Sequence, residues 1–101
     1  MPPGLPEIPK RHVVFELTVA NHPGVMSHIC GLFSRRAYNM DGILCLPLSG
    51  GDQSRIWLKV DAEQRLDQIV CQLEKLGDVK SVVRHGADHA VFVRLAEYFQ
   101  E

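Results

Sequence analysis

The chain has 101 residues, of which 46% are hydrophobic and 23% charged, with a formal net charge of −1. That length fits one domain around one core, and the balance is globular rather than disordered or fibrous. Lys and Arg are scattered among the acids, which argues against nucleic acid or anionic lipid as a partner.

No apolar run approaches the ~20 residues of a membrane-crossing helix, and "MPPGLPEIPKRH" lacks a signal-type apolar stretch, so a cytoplasmic location is expected. Cys30, Cys45 and Cys71 are an odd number, widely spaced within apolar patterns. They read as reduced core residues, not a disulfide set.

Four of the six prolines fall in the first dozen residues, so residues 1–11 are expected to form a flexible lead-in to a domain over 12–86. Val13, Phe15, Leu17 and Val19 then alternate against Glu16 and Thr18, which predicts a first strand. After "NHPG", residues Val25, Met26, Ile29, Leu32, Phe33 and Ala37 recur at helical spacing.

"GILCLPLS" puts Leu44, Leu46 and Leu48 on one face of a second strand, and Ile56, Leu58 and Val60 line one face of a third. Between them Gly50 and Gly51 predict a hairpin turn, while Pro47 predicts an edge or a bulge. Asp61 and Gln64 suggest a capping box, Leu66, Ile69, Val70, Leu73 and Leu76 an apolar stripe, and Gly77 a helix stop. "DVKSVVRH" reads as a fourth strand with Val79 and Val83 inward.

The order β-α-β-β-α-β predicts an α+β, ferredoxin-like fold: a four-stranded antiparallel sheet with both helices on one face. Residues 87–101 add a short helical tail in which Val91, Leu95 and Phe99 share a face.

Because this fold hosts many activities, function has to be sought in particular residues. The loop after the first strand has no phosphate-holding Arg, and Cys30 has no second thiol nearby for a metal. His85 and His89 are four apart, but Gly86 intervenes at a strand end. His22 has no recognisable carboxylate partner in the sequence, so neither a catalytic nor a metal site is read.

The loop itself remains. Pro23 suits the first turn of a helix, with Asn21 and His22 at the cap. The amides of Gly24, Val25 and Met26 would then face outward at the positive end of the helix dipole, a seat for a carboxylate. Gly24 clears the approach, and Asn21 can serve both an ammonium and a carboxylate. An ordinary strand-to-helix turn accounts for the same residues.

The segments "ELTVANHPGVMSHICGLFSRRAYNMDGILCLPL", "SRIWLKV" and "QRLDQIVCQLEKLGDV" resemble the ACT domain, and more narrowly the small regulatory subunits of acetolactate synthase, of the short single-domain type. The resemblance implies a noncatalytic, homodimeric subunit whose ACT sheets join side by side. It would activate a large catalytic subunit and confer feedback inhibition by valine in branched-chain amino acid biosynthesis. Thiamine diphosphate, Mg and FAD would belong to the catalytic partner.

Carried over by position, Asn21, Pro23, Gly24, Val25 and Met26 would hold the effector's polar groups, and Asn39, Ile43, Leu44 and Cys45 would line the opposite side. Alternatives stay open here: Asn39 as a left-handed helix terminator, Cys45 as packing, Arg35 and Arg36 as solvated or docking charges. The tail would either cover the open sheet face or bind the catalytic subunit. A free-standing ACT sensor of another enzyme, or a small ferredoxin-like enzyme, are the rival functions.

Overall fold

A computed structural model describes residues 11–62, 64–86 and 89–99. The lead-in expected over 1–11 lies outside them except for Arg11. Strands β1 (His12–Ala20), β2 (Met40–Pro47), β3 (Gln53–Asp61) and β4 (Val79–His85) form one antiparallel sheet in the order β2-β3-β1-β4. Helices α1 (Val25–Arg35) and α2 (Leu66–Glu74) contribute to its core, and α3 (Ala90–Ala96) ends in a 3-10 turn over Glu97–Phe99. This is the ferredoxin-like arrangement that the element order predicts.

One face of the sheet carries Phe15, Leu17, Ile56, Leu58 and Val60, all fully buried against Ile29, Phe33, Ile69 and Leu73 of the two helices. Burying each such side chain contributes roughly 1.5–3 kcal/mol, so this layer dominates stability. The hairpin between β2 and β3 turns at Gly50 and Gly51, whose φ angles of 97° and 81° favour residues without a Cβ. β2 is an edge strand, as Pro47 predicts, but its bulge lies between Met40 and Gly42.

Several elements differ from the sequence expectation for local physical reasons. Leu44 and Leu46 of β2 share one face, as expected, and pair with Trp57 and Arg55, so that face is the open one; Ile43 and Met40 pack against the core. β4 carries a register shift between its pairs Thr18–Ser81 and Val19–Val79. The extra residue turns Val79 and Val82 inward and leaves Val83 45% exposed on the open side.

α2 starts at Leu66 with Arg65 as N-cap, because Asp61 is still the last residue of β3. Gln64 is not a capping residue: its amide clamps the main chain of Asn39, accepting from its N–H at 2.5 Å and donating to its carbonyl at 2.8 Å. α2 ends at Glu74, and Gly77 is not in the left-handed region. All three cysteines are exposed rather than in the core: Cys30 and Cys71 fall beside their helix stripes, and Cys45, opposite Ile56, lies on the edge strand β2.

At the end of α1 the left-handed residue is Ala37, with φ of 54°, not Asn39. Ala37 N–H donates to Ser34 O at 3.2 Å and Tyr38 N–H to Phe33 O at 2.9 Å, a Schellman closure. The Tyr38 and Phe33 rings meet edge-on at 5.7 Å, completing its hydrophobic contact. Ala37 is therefore exposed and past the helix stripe.

Candidate functional site

Because β4 runs antiparallel to β1, its start lies beside the end of β1, and three turns converge there. Ala20 N–H donates to Asp78 O at 2.8 Å, and Asn21 N–H to Asp52 O at 3.1 Å. Asn21 Nδ2 donates to Gly51 O at 2.8 Å, tying the loop to the β2–β3 hairpin. Residues 21–24 are thus held from two sides before α1 begins.

The helix starts two residues later than Pro23 suggests. Gly24 is the N-cap, at φ −91° and ψ −8°, and its carbonyl accepts the first helical bond from His28 N–H at 3.0 Å. Pro23 precedes the cap and still supplies its fixed φ. Two of the three amides expected to face a ligand are engaged. Gly24 N–H donates to His22 Nδ1 at 3.2 Å, and Val25 N–H to His22 O at 3.3 Å. Met26 and Ser27 are the next first-turn amides, which have no intrahelical acceptor.

His22 does have a carboxylate partner. Its Nε2 lies 2.5 Å from Asp78 Oδ1, while His28 Nδ1 lies 2.9 Å from Asp78 Oδ2. Hydrogen bonds from His22 and then His28 hold the Asp78 carboxyl below its ordinary value. The two imidazoles stand edge to face at 6.2 Å on either side of Gly24. A Cβ added at Gly24 would come no closer than 3.5 Å to them, an ordinary contact. Sequence reading missed Asp78 and His28; their signal was topological, the pairing of β4 with β1.

The second group of expected site residues lies apart from this mouth in the same chain. Asn39 sits exposed before β2, held by Gln64 at the opposite end of the sheet. Ile43 is half-buried towards the helices, Leu44 faces the open side, and Cys45 is exposed. Ile43 and Leu44 also border a cavity of about 490 Å³ between the β2–β3 edge and α3, with Gly42, Phe92 and Leu95. That cavity belongs to the open side of the sheet, away from α1. Among the described residues no group of three His, Cys, Asp or Glu side chains could hold a metal ion.

The sequence profile for the AHAS small subunit-like ACT domain matches residues 15–81, from mid-β1 into β4. The chain belongs to the acetolactate synthase small-subunit family. It is 54% identical over 89 residues to the acetolactate synthase isozyme 1 small subunit of Escherichia coli K12, covering 88% of this chain and 93% of that one. It is 37% identical over 89 residues to the acetolactate synthase small subunit of Mycobacterium bovis, of which it spans 52%.

Among solved structures, the ACT domain from GTP pyrophosphokinase of Chlorobium tepidum superposes with a TM-score of 0.62 at 16% identity, over 76% of this chain and all of that one. That likeness is one of fold alone. As an acetolactate synthase small subunit, this chain is a regulatory polypeptide without a catalytic role of its own; the cofactors belong to the catalytic subunit.

Proposed function

We propose that this acetolactate synthase small subunit works as a cytoplasmic homodimer that activates the large catalytic subunit and conveys feedback inhibition by valine. The observation that carries this reading is the identity to the Escherichia coli isozyme 1 small subunit along nearly that protein's whole length. The geometry supports it in two places. β2 is an edge strand with Cys45 and Leu46 exposed, an unpaired row of main-chain groups suited to joining a second sheet. The mouth of α1 offers Met26 and Ser27 amides, with Asn21 beside them, to a carboxylate.

Valine's carboxylate takes this mouth, displacing His22 Nδ1 where it reaches Gly24 N–H, and its side chain meets apolar residues of β2 from the second protomer. Asn39, Ile43, Leu44 and Cys45, which one chain leaves remote from its own α1 mouth, are supplied across the dimer. A coupling of ~1–3 kcal/mol between the ligand and the dimer's activating state suffices for regulation.

The test is reconstitution with the large subunit. Asn21→Ala and Gly24→Asp should raise the valine concentration for half-inhibition at least about tenfold, the loss of roughly 1.4 kcal/mol of binding, while stimulation of the large subunit persists. Gly24→Ala, which the local space accepts, should leave inhibition close to wild type. Loss of stimulation with valine binding intact would overturn the site assignment, and failure to co-purify with a large subunit would overturn the function.

A further inference from the structure

We propose that His85 and His89 form a proton-operated latch that holds α3 on the open face of the sheet. His89 is the N-cap of α3, and its Nδ1 accepts from Val91 N–H at 3.2 Å. The same ring lies against Trp57 of β3, centroids 4.6 Å apart and planes tilted 35°, and against His85 of β4 at 4.6 Å with planes tilted 51°. Trp57 and His85 meet at 5.7 Å, so one imidazole of the tail closes a three-ring cluster on the sheet. Further along, Phe92 rests on Gly42: a Cβ built there would lie 2.8 Å from Phe92 Cε1. Nothing in α3 or its 3-10 extension is fully buried, so few contacts besides these hold it.

Protonation adds a cation–π attraction to the Trp57 face but removes the bond that caps the helix. A proton on His89 Nδ1 turns the acceptor of Val91 N–H into a donor and removes the cap. It also places a cation at the positive end of the helix and against the face of His85.

Among the described residues, no carboxylate is placed to offset this for His89. Glu16 of β1 is engaged on both oxygens, by His85 Nε2 at 2.8 Å and Arg55 of β3 at 2.5 Å. Lys59 of β3 borders the Phe92 end, and Arg94 and Glu97 of the tail are exposed. With both Glu16 oxygens engaged by His85 and Arg55, that carboxylate has no free oxygen to offer His89. The Val91 cap therefore requires His89 with an unprotonated Nδ1.

Amide hydrogen exchange on the full chain tests the latch. Protection of the Val93 to Ala96 amides, corrected for intrinsic rates, should fall about tenfold or more between about pH 7.5 and 5.5, the range in which an imidazole titrates, while β1 and β3 amides stay protected. His89→Asn keeps a capping acceptor that does not titrate, so its α3 protection should be flat over the same range. Trp57, the one tryptophan of the chain, gives a parallel fluorescence readout. The latch is overturned by a flat wild-type profile, by a pH dependence that survives in His89→Asn, or by α3 and sheet amides losing protection together.

Discussion

Ala37 is the residue whose backbone asks for a different side chain. Left-handed φ brings a Cβ against its own carbonyl, a cost of roughly 1–2 kcal/mol that glycine avoids. The Schellman bonds and the Phe33–Tyr38 contact hold it there regardless. Ala37→Gly should stabilise the protein by about 1 kcal/mol, read as a higher urea midpoint, after allowance for glycine's greater unfolded freedom.

Asp78 is a second case. Its carboxyl lies below the ordinary value of 3.8 because His22 and His28 bond its charged form. A carboxyl depressed in the folded state adds stability that is fully present above its unfolded pKa and is lost as pH falls through the folded one. Wild type should therefore exceed Asp78→Asn in urea midpoint near pH 5, with the gap closing as pH falls below the ordinary 3.8, in a titration of unfolding against pH.

Single elements were legible in sequence to the extent that their periodicity was unbroken. β1, β3 and the apolar stripes of α1 and α2 follow directly from Phe15, Leu17, Ile29, Ile56, Leu58 and Ile69, because alternation or helical spacing names one buried face. β4 was not, since its register shift moves Val83 to the other face, and in β2 the shift between Met40 and Gly42 puts both Met40 and Ile43 on the core side, which alternation alone would not give. The tail shows the same limit. Its sequence offers Val91, Leu95 and Phe99 as a face, but the anchor is Phe92, which is seated where Gly42 has no Cβ. Gly42→Ala should therefore push Phe92 off the sheet, lowering α3 amide protection about fivefold while the unfolding free energy of the sheet shifts by less than about 0.5 kcal/mol. Adding Phe92→Leu should recover part of that protection.

At the scale of the whole molecule, one chain presents a helix mouth at one end and an open strand edge along one side, and the proposed homodimer would bring these together between two copies. A dimer of twice 11.4 kDa is expected in sedimentation. Cys45→Arg, which sets a cation on the exposed edge strand, should shift the mass towards the monomer and weaken valine binding in the same preparation. A monomer with undiminished valine affinity would show that one protomer suffices.

The α1 mouth was legible in "NHPGVM" because Pro and Gly restrict the local backbone wherever they fold. Its electrostatics were not: Asp78 stands 56 positions from His22 and reaches it only through the pairing of β4 with β1.

By itself, the sequence determined the element order, the sheet's inner face and the family, since these depend on local spacing and on matching residues along the chain. Tertiary structure alone decided that Gln64 clamps Asn39, that His22 shares Asp78 with His28, and that α3 lies over the open face through Phe92 and His89. Each of those is a meeting of residues distant in sequence or a register set by one inserted residue, and no local pattern carries either.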